Sequence, residues 1–310
     1  MSLTSILKYG DKNFKDFRSL LSNSFPLPKI EGTVIKAVPK TKNYSIVGTA
    51  FDYLLRFTLE KNFKSKVHGS TWVSESALIH FKSRGILISE DWKISPDEGN
   101  MRDWFESRQG RNKKVLKHFD QCKEVYLSFV KGTLRPSLKI FKACLFLAKL
   151  DIIYRAGPYY MEQIDFLSHS KSDIDDLKRL ISICDFMLFK PKKKLILNPT
   201  FGKGSQLVGG ADADIIIDDC LIEVKVKKEL KLKRTEYNQL IGYYLLYLIG
   251  GVTGHKKVVI KSLGVYFARH NILWTIPIKE IDPDDKSLHS AMLFLKRKMN
   301  VKKYREEYSL

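Results

Sequence analysis

The chemistry of this chain is concentrated in one stretch, Gly209-Gly210-Ala211-Asp212-Ala213-Asp214-Ile215-Ile216-Ile217-Asp218-Asp219-Cys220-Leu221-Ile222-Glu223-Val224-Lys225. Two strand-like runs rich in Ile flank Asp218-Asp219, and Asp is tolerated in tight turns because its short side chain bonds nearby backbone. Taken as a two-residue hairpin loop, this pair sets Ile217 opposite Cys220, Ile216 opposite Leu221, Ile215 opposite Ile222 and Asp214 opposite Glu223. Directly opposed Cβ atoms sit about 5 Å apart, so the register forces two carboxylates together. Like charges that close repel unless a cation lies between them, and a hard divalent ion such as Mg2+ suits carboxylate oxygens. Lys225 stands two residues beyond Glu223 and so shares its face. Two carboxylates and a cation on one surface fit metal-assisted phosphodiester hydrolysis. The metal lowers the pKa of a bound water and offsets charge on the attacked phosphate; the lysine positions that water or stabilises the transition state. Asp212 is the alternate to Asp214, and in the same register it faces Lys225 as an ordinary ion pair. A merely solvated hairpin is the plain alternative, which acids in an Ile-rich pair fit poorly.

The elements that must hold these residues follow from periodicity. Residues 1–189 read as mostly helical, with apolar residues at helical spacing in Thr49 to Phe63 and further helices over Ser74 to Ser83, Lys113 to Val130 and Leu138 to Tyr154. Arg155-Ala156-Gly157-Pro158 ends the last of these. Ser172 to Phe189 opens with Ser172 as N-cap, and Asp173, Asp175 and Asp176 suit the positive end of the helix dipole. From Lys190 the pattern changes. Strands are expected at Leu195 to Leu197, Ala213 to Ile217, Leu221 to Val226, Lys257 to Ala268 and Ile272 to Ile278. Thr235 to Ile249 returns to helical spacing and stops at Gly250-Gly251, and Asp284 to Met299 forms a basic final helix. The order predicts an α/β core over 190–310 with a mixed central sheet flanked by helices, preceded by a mostly helical region over 1–189 that packs on it.

These residues resemble the PD-(D/E)XK nuclease superfamily, and three further matches resemble its RecB-like branch. Gln239-Leu240-Ile241-Gly242-Tyr243 matches the Q-x-x-x-Y of that branch, on the helix after the E-x-K strand, with Gln239 and Tyr243 as i,i+4 neighbours. Gly48-Thr49-Ala50-Phe51-Asp52 resembles the upstream G-x-x-x-H, with Asp52 in place of the histidine. The strand Gly264 to Arg269 follows the Q-x-x-x-Y helix in the expected place. The likeness covers residues 190–280 and touches the N-terminal half only at Gly48 to Asp52. It implies a restriction-endonuclease-like core and a Mg2+- or Mn2+-dependent deoxyribonuclease. Asp214, Glu223 and the Val224 carbonyl would ligate the metal, and Asp52 would complete the site. Lys225 would be the catalytic cation, and Gln239 and Tyr243 would orient it or contact the substrate backbone. Sparse cysteines (Cys122, Cys144, Cys184 and Cys220) lack the spacing of an iron–sulfur cluster or zinc site.

Charge and length set the remaining bounds. The chain has 310 residues, 44% of them hydrophobic, with 54 Lys and Arg against 34 Asp and Glu for a net charge of +20. Enough apolar sequence for a real core excludes disorder as a description of the whole, and the charge predicts a polyanionic partner, nucleic acid ahead of an anionic membrane surface. Lys227, Lys228, Lys231, Lys233 and Arg234 follow the catalytic lysine and are the candidate backbone-binding residues. Further basic runs are Arg108 to Lys114, Lys190 to Lys194 and Lys296 to Lys303, and Lys outnumbers Arg in these clusters, which favours backbone holding over base reading. Gly202-Lys203-Gly204-Ser205 lacks phosphate-loop spacing, which excludes an ATPase. No signal peptide or membrane span is expected, and the buried free thiols suggest the cytoplasm. Two rival readings stand beside the nuclease: a non-catalytic nucleic-acid-binding module on the same scaffold, and a subunit of a defence or repair complex with a helicase or ATPase partner.

Overall fold

The computed structural model describes residues 3–7, 12–30, 32, 34–68, 72–74, 78, 109–156, 165–282 and 285–307. They form two compact units, one of Met1–Lys36, Ser65–Ser70 and Asp185–Leu310, the other of Ala37–Lys64 and Thr71–Cys184. The elements in chain order begin with helices α1 (Leu3–Leu7), α2 (Lys15–Ser24) and α3 (Tyr44–Phe63), strand β1 (Val67–His68), and helices α4 (Gln109–Lys131), α5 (Leu138–Ala156) and α6 (Lys171–Ile183). They continue with β2 (Leu195–Leu197), α7 (Lys203–Leu207), β3 (Ile215–Ile217), β4 (Cys220–Lys225), α8 (Arg234–Gly250), β5 (Ser262–Phe267), β6 (Ile272–Pro277), α9 (Ile278–Ile281) and α10 (Lys286–Glu307).

The first unit is α/β, a mixed open sheet flanked by helices. Its six strands run in the order β1-β2-β3-β4-β5-β6. The β1–β2 and β4–β5 pairs are parallel and the other three are antiparallel. The runs Leu195-Ile196-Leu197 and Ile215-Ile216-Ile217 are buried at every position, as strands covered on both faces must be. The hairpin register matches the expectation, with Ile217 opposite Cys220, Ile216 opposite Leu221 and Ile215 opposite Ile222. Asp218 turns the chain at φ +54°, a left-handed conformation that Asp tolerates. A parallel neighbour needs a crossover, and α8 supplies it between β4 and β5.

Residues 1–36 belong to this unit rather than to the helical region over 1–189. Leu3, Ile6, Phe17 and Leu21 are buried in the same core as Leu240, Ile241 and Leu245 of α8, which accounts for the difference. Two glycines bring α7 against the end of α8 backbone to backbone. A Cβ at Gly250 would lie 2.0 Å from the Phe201 carbonyl oxygen, and one at Gly204 would lie 2.2 Å from that of Leu246.

In the second unit α3 buries a nearly continuous run from Tyr53 to Leu59. Its Phe57 ring packs on Trp72 and Tyr126, with centroids 5.2 and 4.6 Å away. The N-cap of α6 is Ser170, not Ser172, because Ser170 is the residue in extended backbone and its hydroxyl accepts the Asp173 N–H at 3.0 Å. That helix stops at Ile183 rather than Phe189; Asp185, in the first unit, opens a separate short turn of helix by accepting the Met187 N–H. Two strands are shorter than expected. Ala213 N–H turns away to the Pro199 carbonyl, and Val258 N–H closes a turn on His255 before β5 begins. Most of the helix expected over 74–83, Gly157-Pro158, and the side chains of the basic residues at 108–113 and 301–303 lie outside the described residues. Among the described residues no helix is long and apolar enough to cross a membrane.

Candidate active site

β4 is half-buried at Cys220, buried from Leu221 to Glu223 and half-buried again at Val224 and Lys225, where the strand ends. Glu223 is 5% exposed. Lys225 Nζ donates to Glu223 Oε1 at 2.8 Å and to Gln239 Oε1 at 3.2 Å. Gln239 Nε2 in turn donates to the Tyr243 hydroxyl at 2.8 Å, one turn further along α8. The crossover thus delivers its first turns to the strand end, and an i,i+4 pair meets an E-x-K pair across two elements.

Asp214 joins them by a route the register did not anticipate. The β3–β4 ladder ends at Ile215–Ile222, and Asp214 sits in a bend just before it. The Val224 N–H, which alternation along β4 points toward β3, is taken by Asp214 Oδ2 at 2.6 Å. Asp214 therefore meets the E-x-K backbone through its side chain rather than as a ladder partner of Glu223. Asp212 bridges to Thr200 instead of opposing Lys225, whose ammonium is held by Glu223 and Gln239. The acids still act on one point. Burial raises the Tyr243 phenol well above its ordinary pKa, and the charges of Glu223, Asp212 and Asp214 raise it further against the pull of the Gln239 bond. For Lys225 burial works downward, but the carboxylates of Glu223 and Asp214 outweigh it and hold the ammonium above its usual value. Lys225 is thus a cation and Tyr243 a neutral phenol throughout the physiological range.

Other candidates are placed differently. Asp52 lies in the second unit, on α3, where Arg56 four residues on forms an ion pair with its carboxylate. Of the basic run, Lys227 is bound to Glu236 Oε2 at 2.6 Å. Arg234 donates to the Phe25 carbonyl at 2.7 Å and lies over the Tyr237 ring. Lys228, Lys231 and Lys233 are exposed.

Two acids with structural roles escaped the sequence reading. Glu236 accepts the Lys233 N–H at 2.8 Å as well as Lys227, so one carboxylate ties the β4–α8 connection to the helix start. The x-x-E spacing of a capping box was present, but a Lys in the N-cap position masked it. Asp218 accepts the backbone N–H groups of Lys192, Lys193 and Lys194 at 2.8, 2.7 and 2.9 Å. No local pattern signals a clamp across that sequence distance.

Among the described residues no group of three or more His, Cys, Asp or Glu side chains could hold a metal ion. The acids that converge here are joined by backbone and lysine rather than gathered in a cage. Comparisons with family models, curated proteins and solved structures find no match to this chain.

Proposed function

We propose that the chain is a divalent-metal-dependent nuclease with a PD-(D/E)XK core of the RecB-like kind, hydrolysing phosphodiester bonds, with DNA as the favoured substrate. The observation that carries the reading is the single Lys225 ammonium held between Glu223 and Gln239, with Tyr243 behind Gln239 and Asp214 on the adjoining backbone. Residues chosen for one chemistry from two separate motifs form one bonded chain. The mixed sheet with a parallel β4–α8–β5 crossover supports the same fold.

The donor set suits a hard cation. Asp214, Glu223 and the Val224 carbonyl offer only oxygen, and Mg2+ is commonly held by one or two carboxylates while keeping several waters. A bound Mg2+ or Mn2+ would supply a Lewis acid and a water of lowered pKa. This chain's own residues do the rest. Lys225 stays protonated and places a fixed positive charge where phosphate charge builds up. Tyr243 accepts from the Gln239 amide nitrogen, which turns the amide so that its oxygen faces Lys225. Gln239 thereby gives the ammonium a second oxygen acceptor beside Glu223. Asp52 stays with Arg56 in this scheme and takes no part.

The test is cleavage of single- and double-stranded DNA and of RNA with Mg2+ or Mn2+, wild type against Lys225→Ala. Cleavage by wild type, abolished by EDTA and reduced at least about 100-fold in the variant, is the expected result. No cleavage of any form, or equal activity in the variant, overturns it. One observation favours a second reading, a non-catalytic nucleic-acid-binding module: Lys225 already neutralises Glu223. Metal-independent binding without turnover would decide for that reading.

A further inference from the structure

The loop from β2 to β3 is pinned along its length. Asn198 N–H bonds the Asp214 carbonyl at 2.9 Å, Ala213 N–H bonds that of Pro199 at 3.0 Å, and Thr200 bridges to Asp212. Thr200 then meets the segment after α8. Its hydroxyl donates to Thr253 Oγ1 at 2.8 Å, Gly202 N–H donates to the same oxygen at 2.9 Å, and Thr253 N–H returns to the Thr200 carbonyl at 2.9 Å. At about 3.3 Å per residue, Thr200 lies two ladder steps, about 7 Å, from the level of Asp214. The Phe201 ring beside it packs on Tyr243, with centroids 6.0 Å apart. A stapled seam therefore runs outward from the candidate site.

Beyond Asp212, which bridges to Thr200 at its inner end, the charge of this seam is one-sided. Residues 198–211 and 250–261 contain no Asp or Glu, while they carry Lys203, Lys256, Lys257 and Lys261. Lys203, Lys256 and Lys257 are exposed, and none forms an ion pair with a described carboxylate. Lys261 stands at the start of β5, beside the hairpin tip, where its N–H bonds the Asp219 carbonyl. The run after β4 differs. Lys227 is committed to Glu236, Arg234 to the Phe25 carbonyl, and the exposed Glu229 dilutes the remaining lysines. Lysines on a rigid backbone that also presents the exposed Thr253 hydroxyl, which accepts both seam bonds and keeps its own proton to donate, are the groups that hold phosphates without reading bases.

We infer that the Thr200–Thr253 seam, with Lys203, Lys256 and Lys257, is a binding surface for the phosphodiester backbone of a nucleic-acid strand that continues past the site. The inference rests on the proposed nuclease reading and adds a substrate path built from residues other than the 227–234 run.

The experiment is fluorescence anisotropy with labelled single- and double-stranded DNA in EDTA over a salt series. It compares wild type, the seam variant (Lys203→Gln, Lys256→Gln, Lys257→Gln) and a control of equal charge loss at the hairpin tip (Lys190→Gln, Lys192→Gln, Lys193→Gln). At roughly 100 mM salt the seam variant is expected to bind about tenfold or more weakly, and its log–log salt slope to fall by about 2–3, one step per lost phosphate contact. The control is expected to stay within about threefold of wild type, the residual long-range effect of net charge. Wild-type affinity and slope in the seam variant, or an equal loss in the control, overturns the inference. Wild type that binds and cleaves while the seam variant binds as wild type sinks the seam alone. Wild type that neither binds nor cleaves sinks the nuclease reading with it.

Discussion

Asp214 and Asp218 stand four residues apart on one hairpin, and their surroundings give them opposite characters. At the tip, Asp218 accepts three successive backbone N–H groups, from Lys192, Lys193 and Lys194. Desolvation pushes its carboxyl up, but those bonds and the Lys192 charge outweigh it and leave the pKa below the ordinary value. At the base, Asp214 takes the Val224 N–H and lies in the field of Lys225 and Tyr243. An acid that gathers three backbone N–H groups from a distant segment closes a fold. On the proposed nuclease reading, an acid set against a partly buried lysine and a buried phenol is arranged for charge that is not yet there. The contrast separates structure from chemistry within a single turn of chain.

The sharpest way to break the comparison is at the base. Asp214→Asn keeps the size of the side chain and an oxygen for the Val224 N–H but removes the charge. Cleavage is expected to fall at least about 100-fold, while the thermal midpoint moves little. A large loss of stability with unchanged specific activity of the folded fraction would make Asp214 another Asp218. Lys225→Met should match or exceed the loss of activity. It should also tighten Mn2+ binding, measured by calorimetry without substrate, because an ammonium beside Glu223 repels a second cation. Weaker Mn2+ binding in that variant would mean that Lys225 mainly assembles the carboxylates.

The tip gives the middle-sized effect, and it falls on stability. Asp218→Asn is expected to cost about 1–2 kcal/mol in urea unfolding, since charged hydrogen bonds count for more than neutral ones and solvent at a half-open turn keeps them at the low end. The sign of its pH dependence follows from the lowered carboxyl. The contribution is full above the ordinary Asp value of about 4. It shrinks once the unfolded chain begins to protonate, and it is gone when pH falls through the lower folded value. The stability gap between wild type and Asp218→Asn should therefore be constant near neutrality and close in acid. A gap that widens on acidification would contradict the clamp.

Much of this was legible because it is periodic or local. The Ile-rich runs around Asp218-Asp219 set the hairpin register, and Gln239 and Tyr243 needed only helical spacing to share a face. The β4–α8–β5 order was readable from strand, helix and strand patterns. What was illegible depends on contacts between distant residues. Nothing near Asp218 says that Lys192 to Lys194 will turn their N–H groups toward it. Nothing in Lys227 and Arg234 says that Glu236 and the Phe25 carbonyl will engage them. The expectation that Asp214 would oppose Glu223 extended the ladder one pair beyond Ile215 and Ile222, where it ends. The first 36 residues were assigned to the helical region on secondary structure alone, whereas their apolar side chains fill the core under α8.

The smallest effect tests the outer end of the chain of bonds. Tyr243→Phe removes only the hydroxyl that accepts the Gln239 N–H. The ring still packs on Phe201, so the fold should hold within about 1 kcal/mol, the net worth of one neutral hydrogen bond. Without that acceptor the Gln239 amide is free to rotate and present its nitrogen to Lys225, which repels the ammonium. Cleavage should drop by less than about tenfold, the factor that a 1.4 kcal/mol change in the barrier produces, with the loss in kcat rather than KM. Gln239→Glu in the same background fixes an anionic oxygen toward Lys225 whatever Tyr243 does, and should make the Tyr243→Phe step silent. If the step keeps its full size there, Tyr243 acts on the substrate directly and not through the amide.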